Sequence, residues 1–208
     1  MTEPTTVVMT PRDAGQWLIE RARVFATAAH AAIDQRRKYT NAPYIEHPQR
    51  VAERVATVPH TPEMIAAAWL HDVVEDTAVT IEEIQREFGD EVAILVAGLT
   101  DVSRLEDGNR KVRKAIDHQH TAQQSPACKT VKLADLIDNS MDICRYGKGF
   151  ARIFMAEMVV SLQGMVEGDA TLYAEALAIV ERWQTRSCHA ASSNPPNDAR
   201  PRDANDMS

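Results

Sequence analysis

The chain has 208 residues with 23 Lys and Arg against 30 Asp and Glu, a formal charge of −7, and at 44% hydrophobic and 25% charged it has a globular protein's composition. The acidic balance argues against a general nucleic-acid or anionic-membrane binder, and no apolar run approaches the ~20 residues of a membrane span. An N-terminus that is not basic-then-apolar, and three cysteines with no C-x-x-C, disfavour a signal peptide, a disulfide framework and Cys-ligated zinc, so a cytoplasmic protein is expected.

Residues 1–9 carry Thr, Pro and Met without periodicity and are expected to be disordered. Thr10-Pro11 then reads as an N-cap followed by Pro at the first helical position, with Asp13 placed to answer the cap. Leu18, Ala22, Phe25, Ala29 and Ile33 follow at helical spacing as one apolar stripe. Thr61-Pro62 repeats the start signal ahead of Ile65, Ala68 and Trp69. Thr80-Ile-Glu-Glu83 is a capping box whose short helix stops at Gly89, and Val92, Leu95, Val96 and Leu99 carry the pattern on. Ser125-Pro126 opens another helix, and Asp169 caps the last, with Leu172, Ala176, Ile179, Val180 and Trp183 inward. The three Trp, at 17, 69 and 183, are expected in the core. No segment alternates with period two, and Asp107-Gly108 lacks the flanks of a hairpin. The fold class is therefore all-α, a single helical bundle over 10–186. From 187 to 208, Ala, Ser, Asn, Pro, Asp and Arg leave almost nothing to bury, which reads as a disordered tail.

Polar residues interrupt the apolar faces at a few places. His47 precedes Pro48 at the head of a helix, His71-Asp72 follows the apolar run Ile65–Leu70, and Asp135 follows Val131-Lys-Leu-Ala. A buried imidazole or carboxylate is costly unless paired or bound to a metal. Two imidazoles and two carboxylates form a mixed N/O donor set that suits Mn²⁺, Fe²⁺ or Zn²⁺ better than Ca²⁺. If the helix continues past Asp72, Glu75 and Asp76 fall one turn beyond His71 and Asp72 on the same flank. Carboxylates beside a metal can orient or deprotonate water. The plainer alternative is a frayed helix end with both carboxylates in water.

The order His47, His71-Asp72, Asp135 resembles the H…HD…D pattern of the HD metal-dependent phosphohydrolase superfamily. Arg36-Arg-Lys38, Pro43-Tyr-Ile-Glu-His-Pro48, His71-Asp-Val-Val-Glu-Asp-Thr77, Phe88-Gly89 and Val131-Lys-Leu-Ala-Asp135 with Asn139 narrow the likeness. Together, over about residues 22–145, they resemble the hydrolase domain of RelA/SpoT-type alarmone enzymes, and the length suggests a stand-alone small alarmone hydrolase. The resemblance implies one Mn²⁺ per chain, other divalent metals being possible, held by His47, His71, Asp72 and Asp135. It implies that Glu75 and Asp76 position or activate the attacking water, and that pyrophosphate leaves the 3′ position of a (p)ppGpp- or (p)ppApp-type nucleotide. Arg37 and Lys38 match the family's basic pair near the nucleotide, and Asn139 matches a residue of the base and ribose pocket.

An acidic chain that binds a polyanion needs a local basic site. Three clusters are available: Arg36, Arg37 and Lys38; Arg110, Lys111, Arg113 and Lys114; then Arg145, Lys148 and Arg152, of which Arg152 is the candidate phosphate contact. The middle cluster reads equally well as a solvated helix face. Leu136 and Asp138 depart from the family's usual Arg or Lys, and His or Tyr; lying close to Asn139, they bear on nucleobase and phosphate contacts more than on the metal. Two other readings remain: a different HD phosphohydrolase, such as an NADPH phosphatase, and a non-catalytic nucleotide sensor.

Overall fold

The computed structural model describes residues 10–147 and 149–192, with side chains as far as 186. Among these residues it is all-α, as the periodicity predicts. The helices are α1 (Pro11–Ala32), α2 (Glu46–Val55), α3 (Pro62–Leu70), α4 (Val73–Asp76), α5 (Ile81–Phe88), α6 (Asp90–Leu99), α7 (Arg110–Ala122), α8 (Pro126–Tyr146), α9 (Ala151–Gln163) and α10 (Ala170–Ser192), with one 3₁₀ turn at Leu105–Asp107. The one piece of extended pairing among the described residues is an isolated bridge between Arg36 and Pro43.

The start signals act as expected. Thr10 and Asp13 close a capping box on α1, as do Thr80 and Glu83 on α5. Thr61 accepts from the Met64 amide, Ser125 from that of Cys128, and Asp169 Oδ1 from the amides of Thr171 and Leu172. Each cap is worth ~1 kcal/mol against Ala. Gly89 ends α5 with φ of 85°, a conformation that costs a β-carbon-bearing residue strain.

Two helices form the centre. Every residue of α3 from Met64 to Leu70 is buried, with α1, α2, α6 and α8 around it. Its three alanines, Ala66–Ala68, let those neighbours approach closely. The longer helix α8 packs on α2, α3, α6, α9 and α10. His71 closes α3, Asp135 lies mid-way along α8, and His47 opens α2, so three core elements aim at one point.

Three expectations need adjusting. Trp69 is buried and Trp183 packs against the core, but Trp17 is 54% exposed, its ring covered by the Arg21 guanidinium at 4.5 Å. Helix α10 continues to Ser192, into the segment read as a tail from 187. The helix also does not run through His71-Asp72: α3 ends at Leu70 and the chain restarts as α4. His71 Nδ1 bonds the Ala68 carbonyl at 2.8 Å, and this side-chain bond competes with the helical ladder where α3 stops. The proposed N-terminal segment 1–9, residues 193–208 and Lys148 lie outside the described residues.

Candidate metal centre

His47 and His71 are fully buried, with their Nε2 atoms 3.2 Å apart. Asp72 Oδ2 lies 3.5 Å from His47 Nε2 and 3.0 Å from His71 Nε2. Asp135 Oδ1 lies 3.2 and 3.7 Å from the same two nitrogens. Ligands ~2.1 Å from a common ion sit ~3.0–3.4 Å from their nearest neighbours, so the spacing of His47, His71 and Asp72 suits one small divalent cation, with Asp135 Oδ1 close to both imidazoles beside them. Chemistry makes the same case. Both Nδ1 atoms are committed, His47's to Asp138 Oδ2 at 2.6 Å and His71's to the Ala68 carbonyl, so each neutral ring turns an Nε2 lone pair inward. Two lone pairs and two carboxylate oxygens facing one another repel unless positive charge sits among them.

The titration behaviour reflects that demand. Burial disfavours charge on both imidazoles, yet hydrogen bonds and attraction from Asp72 and Asp135, with Asp138 added for His47, leave them above the usual histidine range. Burial likewise opposes ionised Asp72 and Asp135. His71 outweighs it for Asp72 and Lys132 for Asp135, each helped by the remaining imidazole contacts, so both carboxyls lie below their ordinary range. Protons or a metal ion satisfy the same need.

The surrounding side chains hold these ligands. Tyr44 donates to Asp72 Oδ2 at 2.5 Å. Lys132 Nζ takes the outer oxygen of Asp135 at 3.1 Å, and Asn139 Nδ2 donates to its inner oxygen at 2.6 Å. Asp138, 1% exposed, sits behind His47 and accepts two bonds from Arg50, at 2.6 and 3.0 Å. Its place is therefore beside the metal centre, not in the nucleobase pocket where the sequence placed its influence. Leu136 does line the cleft.

A cleft of about 310 Å³ opens from the centre. Its polar lining is Asp72, Glu75, Lys132 and Asp135, with Arg110 and Lys114 added from α7. Leu136, Ile143, Phe150, Phe154 and Met158 supply the apolar lining, with the Arg110 guanidinium 5.1 Å from the Phe150 ring. Glu75 keeps a solvent-exposed face, but protein crowds it. Burial is the main force raising its carboxyl to about 7, Asp101 and Asp72 add to the rise, and Lys132 and the Asp101 amide oppose it. That amide donates to Glu75 Oε1 at 2.6 Å. Asp76 turns elsewhere, its Oδ2 accepting from Gln35 Nε2 at 2.8 Å.

A family model, the HD domain, matches residues 22–139. The chain belongs to the HD domain family. Among HD relatives, a Guanosine-3′,5′-bis(diphosphate) 3′-pyrophosphohydrolase of Aquifex aeolicus is 38% identical over 121 residues, 58% of this chain and 17% of its own length. Guanosine-3′,5′-bis(diphosphate) 3′-pyrophosphohydrolase MESH1 of Xenopus tropicalis is 38% identical over 131 residues, 62% of this chain and 70% of its own. A solved structure described as a metazoan ortholog of SpoT that hydrolyzes ppGpp superposes with a TM-score of 0.71 at 25% identity, covering 80% of this chain and 95% of that one. The chain thus spans about a sixth of the bacterial relative and most of the animal ones.

Within this HD centre the substrate contacts expected from sequence separate. Arg37 is 10% exposed and its guanidinium is spent on Asn139 Oδ1 and Asp142 Oδ2, so Arg37 and Asn139 form a chain of bonds ending on Asp135. Lys38 lies 5.9 Å from the Phe150 ring of the cleft's apolar lining. Arg152 borders a neighbouring apolar groove with Ile153 and Val160, which meets the cleft at Arg110 and Lys114. Sequence reasoning assigned no role to Lys132, Tyr44 or Arg50, and tied Asp138 to the nucleotide and not to His47. Lys132 and Tyr44 lie inside the motifs Val131–Asp135 and Pro43–Pro48 and were within reach; nothing local links Arg50 and Asp138 to each other or to His47. Among the described residues no helix is long and apolar enough to cross a membrane.

Proposed function

We propose that this protein is a divalent-metal-dependent hydrolase that removes the 3′-pyrophosphate from (p)ppGpp- or (p)ppApp-type nucleotides. The observation that carries the reading is one cleft lined by Asp72, Glu75, Lys132 and Asp135 together with Arg110 and Lys114, beside the buried pair His47 and His71. The metal in this reading is Mn²⁺, one of the ions that the mixed donor set suits, with His47, His71, Asp72 and Asp135 as its ligands. A bound divalent ion supplies Lewis acidity toward a phosphoryl oxygen and makes water easier to deprotonate.

The protein's own groups do the rest. Water attacks the phosphorus on the 3′ oxygen, the O3′–P bond breaks, and the departing 3′ oxygen takes a proton from solvent to become a hydroxyl as pyrophosphate is released. Glu75 takes the proton of the attacking water; a carboxylate near 7 is a far better base at neutral pH than one near 4.5. Asp76, the other carboxylate expected to position water, would first have to release Gln35. Lys132 keeps its proton despite burial, because Asp135, Glu75, Asp101 and Asp72 surround it, and it balances the charge of the incoming phosphates. Arg110 and Lys114 face the outer phosphates, with Arg152 beyond them on the adjoining groove and Lys38 beside Phe150. The aromatic part of the lining, with Asn139, receives the nucleobase. The free thiols Cys128 and Cys144 suit a reducing cytoplasmic setting.

The test is pyrophosphate release from ppGpp, pppGpp, ppApp, pppApp and NADPH with Mn²⁺ present. Release from a guanosine or adenosine alarmone is the expected result. Phosphate from NADPH alone, or no turnover with tight nucleotide binding, overturns it in favour of a different HD phosphatase or a sensor.

A further inference from the structure

Each histidine of the centre is held from behind, but by different chemistry. His71 Nδ1 bonds a backbone carbonyl, whereas His47 Nδ1 bonds a buried side chain, Asp138, at 2.6 Å. Asp138 has no water to turn to, and both of its oxygens are taken. Oδ1 accepts from Arg50 Nε at 2.6 Å, and Oδ2 accepts from His47 and from an Arg50 terminal nitrogen at 3.0 Å. Arg50 comes from the turn of α2 after His47, and Asp138 from the turn of α8 after Asp135. The pair therefore ties together the two helices that carry those ligands.

We propose that Asp138, braced by Arg50, is a positioning residue for His47: it fixes the ring with Nε2 toward His71, Asp72 and Asp135, and so sets how tightly the centre holds a divalent cation. This rests on the metal reading of the site. A ring free to rotate about its Cβ–Cγ bond must be ordered by the metal itself, which weakens binding. The carboxylate also fixes the tautomer, since it can only accept and so keeps the proton on Nδ1. An amide in its place offers the ring a donor as readily as an acceptor, which favours a proton on Nε2, where it blocks coordination. Arg50 neutralises Asp138, so the brace orients the imidazole without leaving an unpaired buried charge.

The experiment titrates Mn²⁺ into the full-length protein and its Asp138→Asn, Arg50→Gln and His71→Ala variants. It also follows the proton resonance of His47 Nδ1–H, which a short bond to a carboxylate shifts downfield. Asp138→Asn should bind Mn²⁺ ~10–100-fold more weakly, the usual range for a lost partner behind a ligand, and its downfield Nδ1–H resonance should move upfield or be lost as the proton passes to Nε2. Arg50→Gln should weaken binding by a smaller factor in the same direction. Parental affinity in both variants, with the resonance unmoved, overturns the proposal. Should Asp138→Asn not fold, Arg50→Gln decides, because that side chain is 39% exposed and its loss leaves the core intact. Failure of the metal reading looks different: parent and His71→Ala then take up Mn²⁺ equally poorly, while the Nδ1–H resonance still reports whether Asp138 holds the ring.

Discussion

The two sides of the cleft are built on opposite principles. The metal side stands on the core: His47 and His71 are fully buried, and every ligand has a named partner behind it. The α7 side is partly solvated and held by ion pairs, Arg110 with Glu157 at 2.8 Å and Lys114 with Asp101 at 2.5 Å and Asp117 at 3.6 Å. Such pairs are individually weak and exchange partners readily. A cation needs atoms held to fractions of an ångström, whereas a polyphosphate needs positive charge that can shift its allegiance from Asp101, Asp117 and Glu157 to the incoming oxygens. Precision is therefore spent on one wall and adaptability on the other.

The sharpest way to break this comparison is to remove a ligand. His71→Ala or Asp135→Ala should abolish Mn²⁺ uptake and pyrophosphate release together, measured as metal content and turnover on one preparation. Activity surviving with metal content lost contradicts the assignment of the metal side. Glu75→Gln comes next, with turnover falling ~10²-fold while Mn²⁺ and nucleotide binding persist. The sign of its pH dependence follows from its raised carboxyl. The base is ionised above its pKa, so the rate should climb with pH through an acidic limb near 7, moved lower if a bound cation favours the charged form. Glu75→Gln should lack that limb; a parental profile in the variant removes Glu75 as the base.

On the α7 side the effects should be smaller and of a different kind. Lys114→Met should raise KM ~10-fold with kcat within ~2-fold, as expected for losing one charge-assisted phosphate contact. A fall in kcat at unchanged KM places Lys114 with the chemistry instead. Arg152→Ala is the mildest case, a change in KM of ~2-fold or less, because it borders the adjoining groove and is not among the residues that line the cleft. A tenfold rise moves the outer phosphate site into that groove.

Much of the metal side is legible in sequence. His71-Asp72 after an apolar run and Asp135 four residues after Val131 are local patterns, and burying such groups requires a partner of this kind. The caps at Thr10, Thr61, Thr80 and Ser125 are equally local, which is why the helix starts hold. Asp138 and Arg50 are not local. They meet 88 residues apart, and Asp138 meets His47 across 91. Read along α8, Asp138 is simply a neighbour of Asn139; only the approach of α2 turns it toward a histidine. The Glu75 and Asp76 pair shows the same limit. A continuous helix puts both on one flank, but the restart at Asp72 sends Glu75 into the cleft and Asp76 to Gln35.

Residue type, spacing and capping thus determined by themselves that the chain is helical, where most helices begin, and that His47, His71, Asp72 and Asp135 interrupt apolar stretches of the chain. Tertiary structure alone decided which groups stand behind those four, that Lys132 keeps its charge between Asp135 and Glu75, and that the cationic wall comes from α7. The physical reason is range. Caps and periodicity act within a turn or two, whereas a side chain's pKa and orientation depend on charges and contacts that only folding brings together.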